Sequence, residues 1–397
     1  MTVRRVAVYD LYWATLGGGE QVDGSIAQVL AEAGHEVTLL GPKVPDVERT
    51  RERLGVDLSG CDYRAVTDDD MASKASADFD VFVNGTYLSR AVNHAALGYY
   101  YVHFPQVPSR QIDRIRNRVY IGAVKGLGSV SQRELPLRLR EVQAGFDRRV
   151  ARTHFIPSYR RFLANSGFTA EWVERLWGVV ADVLYPPVRP SVRPGEKRDL
   201  VLSLGRFFDP VHGHSKKQLD MLDAFIEMER TGAADGWALA LVGGGGAADR
   251  EYALACKRAA VGHRVKVHVN APGALVERLL GEASIYWHAA GFGEDPRRHP
   301  DRFEHFGIAL VEAMAAGAAP VVYGAAGPAE IVRDGVDGDH WRARSELIEI
   351  TTGLMHDPVA RQARADAART RADDFSAARF TRELLAFVNR DCGPSAP

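Results

Sequence analysis

Short β-branched runs alternate with helical patterns along most of the chain, in two rounds separated by a stretch where no helix can run. In the first round, the runs at 6–9, 36–40, 81–84 and 98–103 read as strands, with a helical pattern at 19–33. In the second, strands are predicted at 200–204, 238–242, 265–269, 285–288 and 319–323. Between them lies Tyr185-Pro186-Pro187-Val188-Arg189-Pro190-Ser191-Val192-Arg193-Pro194-Gly195, whose prolines forbid a continuous helix and mark a linker. Strands joined through helices pair in parallel, and parallel sheets are covered on both faces. The predicted fold class is therefore α/β, with two doubly wound Rossmann-like domains, residues 1–187 and 198–372, facing each other across a cleft. Ligands in such sheets bind beyond the carboxyl ends of strands, so the chemistry should follow the strands.

At 397 residues the chain has room for two cores of ordinary size. Its 50 basic and 51 acidic side chains nearly cancel, so no global field argues for nucleic acid and none is expected as a partner. One local basic region stands out. Between 109 and 161, Arg110, Arg114, Arg116, Arg118, Lys125, Arg133, Arg138, Arg140, Arg148, Arg149, Arg152, Arg160 and Arg161 face only Asp113, Glu134, Glu141 and Asp147. Two readings are open: a solvated helical face, or a rim that attracts anionic lipid or an acidic acceptor. The three cysteines, Cys61, Cys256 and Cys392, have neither disulfide-framework nor zinc spacing, which fits a reducing cytoplasm. No signal peptide or membrane-length apolar run is visible. The expectation is a cytoplasmic protein whose only membrane contact is peripheral, at the inner face.

The most informative segment is Phe303-Glu304-His305-Phe306-Gly307-Ile308-Ala309-Leu310-Val311-Glu312-Ala313-Met314-Ala315-Ala316-Gly317. Two glutamates flank the start of an almost wholly apolar helix. A lone carboxylate on such a helix needs hydrogen-bond donors or ligand hydroxyls. The first-turn amides, around Phe306, Gly307 and Ile308, suit a phosphate. Phosphate-binding amides beside two hydroxyl-accepting carboxylates fit a nucleotide sugar, although Glu304 as a cap and Glu312 as a surface residue is the plainer alternative. Gly17-Gly18-Gly19-Glu20-Gln21-Val22 opens a helix with a glycine-rich turn, but Val22 stands where a dinucleotide fingerprint needs its third glycine. Gly243-Gly244-Gly245-Gly246 follows one predicted strand, and Gly205-Arg206-Phe207, leading to His214-Ser215-Lys216-Lys217-Gln218, follows another. The helix after that loop is predicted to end near Phe225. His103, ending the strand in Tyr101-Val102-His103-Phe104-Pro105, reads more readily as a satisfied core histidine than as a ligand contact when taken alone. Asp68-Asp69-Asp70 matches a metal-binding Asp-x-Asp pattern in form, but its place before a helix reads as a solvated capping cluster. His212-Gly213-His214 has too few neighbouring ligands for a metal. No metal site and no cofactor are expected.

In order, these motifs resemble the retaining glycosyltransferases of family 4. The likeness is strongest from Glu304 through Gly317, Ala319-Pro320-Val321-Val322-Tyr323 and Gly327-Pro328-Ala329-Glu330-Ile331-Val332. The Tyr101 to Pro105 motif, Glu304 to Ile308, Ala164-Asn165-Ser166, Trp172 and the 183–188 segment lean towards mannosyltransferases that extend dolichol-linked oligosaccharides. The resemblance implies the GT-B architecture, with acceptor on the first domain, donor on the second, and a helix at 375–390 returning to the first. It implies Arg206 and Lys216 on the leaving diphosphate, with Lys217 as the competing lysine because the loop is longer than usual. It places Glu304 on the sugar hydroxyls, Glu312 on the ribose, amides near Gly307 and Ile308 on phosphate, and His103 near the reacting sugar carbon. The Gly18 and Gly19 loop would lie near the diphosphate and the acceptor, and Gly243 near the donor. The implied reaction moves a hexose from a nucleoside diphosphate sugar, GDP-mannose or a UDP-hexose, to an acceptor hydroxyl by front-face substitution without metal. The acceptor could be a glycolipid, a glycan or a small molecule. A GT-B epimerase or phosphorylase and a non-catalytic carbohydrate-binding protein are the alternatives; a phosphorylase would need a cofactor lysine that no motif supplies.

Overall fold

The computed structural model describes residues 3–107, 153–188, 194–213 and 215–392. The chain folds into two compact units, Met1–Pro187 with Ala378–Pro397, and Val188–Ala377. In the first, the described residues form β1 (Arg5–Tyr9), α1 (Gly18–Glu32), β2 (Glu36–Gly41), α2 (Val47–Leu54), β3 (Asp62–Ala65), α3 (Asp69–Ser76), β4 (Val81–Asn84), β5 (Leu97–Val102), β6 (Arg161–Ala164), α4 (Gly167–Trp177) and β7 (Asp182–Val183). The strands pair in parallel in the order β3-β2-β1-β4-β5-β6-β7. Four of them answer to the predicted runs. β3, β6 and β7 escape the pattern because they are short and carry charged residues.

The second unit repeats the plan with β8 (Arg198–Leu204), α5 (Gln218–Thr231), β9 (Ala238–Gly243), α6 (Arg250–Ala259), β10 (Val265–Val269), α7 (Gly273–Glu282), β11 (Ala283–His288), α8 (Ile308–Ala315), β12 (Ala319–Tyr323), α9 (Ala326–Ile331), β13 (Asp339–Trp341), α10 (Arg344–His356) and α11 (Pro358–Ala372). Its parallel sheet runs β10-β9-β8-β11-β12-β13. α5 does not end near Phe225: that residue is buried in mid-helix, and the stop is Gly232 in the left-handed region at φ 77°. The last helix, α12 (Ala377–Cys392), belongs almost wholly to the first unit.

Alternation along β1 shows how the first sheet is covered on both faces. Val6 and Val8 point to one side, where Ile26 and Leu30 of α1 meet Phe380, Leu384 and Val388 of α12. Ala7 and Tyr9 point to the other, towards Ala72 and Ala75 of α3 and Val173 of α4. The returning helix is also held by charge. Arg161 donates to both oxygens of Asp391 at 2.7 Å, pairs with Asp182, and lies under the ring of Phe387. Arg161 is thus a half-buried clamp and not part of a solvated basic face. Residues 110–152 of that basic segment lie outside the described residues.

The Arg161 guanidinium holds the Asp391 carboxyl below its ordinary value. Because the folded-state value is depressed, this stabilisation is present above the usual carboxylate range and disappears as pH falls through the folded value. Asp391→Ala should lower the unfolding free energy by about 1–3 kcal/mol at pH 7 in urea titrations. The loss should shrink at acid pH.

Candidate functional site

The second unit gathers its chemistry at the carboxyl ends of β8, β9 and β11. Gly205, just past β8, donates its amide to Val242 at 2.9 Å, and Phe207 donates to Gly244 at 2.8 Å. This close approach needs glycine: a Cβ on Gly243 would lie 1.9 Å from the Gly205 oxygen. Two amides of the tetraglycine run are already engaged, Gly245 with Asn270 and Gly246 with Asp249, each at 3.0 Å. Gly243 therefore acts first as a spacer that sets the Gly205-Arg206 turn. Arg206 is exposed, its guanidinium 5.6 Å from the Phe208 ring centroid, and it has no carboxylate partner among the described residues.

The two adjacent lysines are sent to different partners. Lys217 adopts a left-handed conformation at φ 58°, just before α5, and its ammonium donates to Glu294 at 2.7 Å. Glu294 is also paired with Arg302 at 3.0 Å. Lys216 instead reaches Glu304, and its stem fills the space that a Cβ on Gly205 would occupy. Glu304 is the meeting point of the site. His288, the last residue of β11, sits with Nε2 3.3 Å from the same carboxylate. Burial pushes the Glu304 carboxyl up, but Lys216 and then His288 outweigh it and hold the group well below its ordinary value. His288 is itself pushed down, chiefly by burial, and its Nδ1 is buried with no hydrogen-bond partner. His288 was not among the residues expected from the sequence, although it carries the same signal that marked His103: a histidine ending a strand.

α8 begins at Ile308, after Gly307 at φ 115°, so the amides of Ile308 and Ala309 open the helix without acceptors four residues back within it. The Phe306 side chain does not face outward; it is buried against Phe375, ring centroids 5.5 Å apart, which leaves only its backbone for a ligand. The loop is fixed from above by Gly327, whose amide donates to the Glu304 carbonyl at 3.0 Å. Glu312, one turn into α8, is half-buried and takes no hydrogen bond or ion pair among the described residues. Burial pushes its carboxyl up to about 7.

In the first unit, α1 starts at Gly18 and not Gly19, and Glu20 turns back to accept the Gly17 amide, which removes that amide from anion binding. Gly19 is where the chain passes the His103 ring: a Cβ there would lie 3.5 Å from the imidazole. His103 Nε2 lies 2.9 Å from the Gly85 carbonyl oxygen. Asp68 caps α3 by accepting from Met71 at 2.8 Å, as its position predicts. Asp69 is different. It accepts from the Tyr9 hydroxyl at 3.0 Å, the Ser89 hydroxyl at 2.7 Å and the Arg90 amide at 2.7 Å, so it is an internal anchor and not a solvated charge. Among the described residues no three His, Cys, Asp or Glu side chains converge to hold a metal ion; His214 lies outside them.

Residues 187–371 match the family model described as "Glycosyl transferases group 1". Over 312 residues the chain is 24% identical to a Dictyostelium discoideum protein named GDP-Man:Man(3)GlcNAc(2)-PP-Dol alpha-1,2-mannosyltransferase, covering 72% of this chain and 58% of that one. The chain thus spans somewhat over half the length of this curated relative. Its fold is that of Anabaena HepE, solved with UDP and glucose, with a TM-score of 0.65 at 15% identity over 97% of this chain and 99% of the other. A Rickettsia africae glycosyltransferase superposes with a TM-score of 0.67 at 12% identity over the whole of both chains. WaaG, a glycosyltransferase of lipopolysaccharide biosynthesis, gives 0.61 at 14% identity, covering 97% and 99%. The two parallel-sheet units are those of the GT-B fold.

The unpartnered Glu312 makes a sharp prediction about stability. Its folded-state value, about 7, lies above the ordinary 4.5. The folded chain therefore binds the extra proton between those values, and stability falls as pH rises through that window. Glu312→Gln should raise the unfolding free energy by about 1–3 kcal/mol at pH 8 and leave it nearly unchanged at pH 4.5. Thermal melts at the two pH values check the sign.

Proposed function

We propose that the chain is a retaining, metal-independent glycosyltransferase of family 4, moving a hexose from a nucleoside diphosphate sugar to an acceptor hydroxyl. The observation that carries this reading is the convergence of Lys216, His288 and Glu304 beside the opening of α8 and the unpartnered Glu312, inside the span matched to the group 1 family. The UDP held by HepE and the GDP-mannose in the Dictyostelium protein's name support a nucleotide-sugar donor, GDP-mannose or a UDP-hexose. The Tyr101 to Pro105 and Glu304 to Ile308 motifs favour mannose.

In this reading the bond from the anomeric carbon to the diphosphate oxygen breaks while the acceptor oxygen bonds to the same face. Negative charge accumulates on the departing phosphate, where Arg206 and Lys216 offset it and the Ile308 amide donates. The leaving oxygen takes the acceptor proton. Glu304, kept ionised, accepts from sugar hydroxyls, and Glu312 accepts from the ribose. Lys216 is well placed for its task because its contact with Glu304 holds the ammonium in position. The first unit holds the acceptor, with His103 as the contact to the sugar. A glycolipid, a glycan or a small molecule all offer the required hydroxyl, and a peripheral membrane contact through the basic segment would suit the first. No helix of the described residues is long and apolar enough to cross a membrane.

A thermal-shift screen of nucleotide sugars, followed by transfer assays with the donor that stabilises, tests the reading. A donor stabilises in proportion to its occupancy. The product should keep the donor's anomeric configuration by NMR; inversion would sink the retaining assignment. Arg206→Ala and Lys216→Ala should each lower kcat by about a hundredfold or more, with folding intact by circular dichroism. Full activity in both would remove the phosphate-stabilising role. Turnover should persist in excess chelator, whereas loss restored by magnesium or manganese would overturn metal independence.

A further inference from the structure

Asp23 lies in the second turn of α1 with no exposed surface, and neither carboxylate oxygen takes a hydrogen bond. Burying a carboxylate without donors is strongly unfavourable, and an apolar residue here would extend the core-facing stripe of Val22, Ile26 and Leu30. The surrounding backbone makes room for the charge instead. A Cβ at Gly85 would lie 1.8 Å from Asp23 Oδ1, so any larger residue at 85 would displace the Asp23 carboxylate. A second carboxylate joins it. Asp10, just past β1, is also buried; one oxygen accepts the Tyr12 amide at 2.9 Å, and the other has no partner.

The ionic partner of Asp23 is His103, whose Nε2 lies 3.9 Å from Oδ2. The same nitrogen lies 2.9 Å from the Gly85 carbonyl oxygen. A carbonyl can only accept, so Nε2 carries a proton, and Nδ1 is the nitrogen left for the exposed 17% of the side chain. The groups around the ring are of one sign. α1 contributes Asp23 and, one turn earlier, Glu20; the end of β1 contributes Asp10. The turn after β4 offers only the Gly85 carbonyl, β5 the Tyr101 ring at 5.2 Å, and the end of β6 the Asn165 amide, which donates to the His103 carbonyl at 2.9 Å.

We propose that Asp23 is a positioning residue: it holds His103 with Nε2–H turned inward, so that Nδ1 is presented outward as a charged N–H donor to an oxygen of the ligand bound by the first unit. Electrostatics agree with the geometry. Burial pushes the imidazole down, but Asp23 and then Asp10 outweigh it, and the net shift is upward. Burial also raises both aspartates, and His103 is the cation that offsets part of that rise. The inference rests on the preceding reading only for the ligand's identity as a sugar or sugar nucleotide.

The test uses the full chain with ring-15N histidine, and long-range 1H–15N NMR correlations assigned through His103→Gln. In the wild type, Nε2 should stay protonated throughout, and Nδ1 should titrate above the ordinary histidine value of about 6.5. Asp23→Asn, which preserves shape and removes charge, should move that titration down. A wild-type His103 that carries its neutral proton on Nδ1, or titrates below the ordinary value, overturns the proposal. That result needs no variant, so a poorly folding Asp23→Asn would not rescue it. In transfer assays Asp23→Asn should lower kcat at pH 7 by about tenfold or more, with donor KM changed by less than about threefold. The fall of kcat with rising pH should begin at lower pH than in the wild type, and a variant whose titration and pH profile both stay in place also overturns the proposal. If no nucleotide sugar is turned over at all, the functional reading fails, while the imidazole titration still decides this one.

Discussion

The pair formed by Lys216 and Glu304 ties together segments 88 residues apart, and the local architecture of the second unit is arranged around it. β8 delivers the lysine loop, β11 delivers His288, and the turn before α8 delivers the glutamate. Glycine at 205 gives the lysine stem its path, glycine at 243 lets two strand ends touch, and glycine at 327 lets the next turn brace the Glu304 backbone. Such a pair is weak evidence for stability, because removing two charges from water offsets most of their attraction. Its value lies in geometry: a fixed cation and a fixed anion at the ends of strands, where an α/β sheet exposes its ligand site.

The two glutamates of one short segment have opposite electrostatic fates. Glu304 has a cation and an imidazole against it and stays ionised; Glu312 has neither and is pushed up to about 7 by burial. Environment separates them, since their side chains are identical and they sit one on each side of the opening of α8. A carboxylate left without donors inside a folded unit is a local destabilisation that a ligand can relieve. The first unit holds a related tension at Asp10 and Asp23, relieved there by an internal histidine.

Much of the architecture was legible because buried parallel strands are continuous apolar runs, as in β1, β4, β9 and β12, while the edge strand β10 reads through its alternating valines. β3 was not, since Asp62-Tyr63-Arg64-Ala65 is an edge strand with mostly exposed side chains. β13, Asp-His-Trp, is three residues long. For the candidate site, residue types and order singled out Arg206, Glu304 and Glu312 as candidates. They could not tell Lys216 from Lys217, because that choice depends on a left-handed backbone at 217 that lysine does not announce. Arg161 looked like one more cation in a basic run, and only Asp391, 230 residues away, makes it internal. No motif singled out Asp23; its burial depends on the close approach of the turn at Gly85.

The first unit is interrupted: residues up to Pro187 form its sheet, but α12 supplies the Phe380, Leu384 and Val388 that seal one face. The second unit is one uninterrupted stretch, Val188–Ala377. On the ribosome, where chains ordinarily mature from the amino end, the order is reversed. The later unit has all its residues first, while the earlier one waits with part of an apolar sheet face uncovered until Phe380, Leu384 and Val388 emerge. During that interval the nascent chain offers a surface for chaperones to hold.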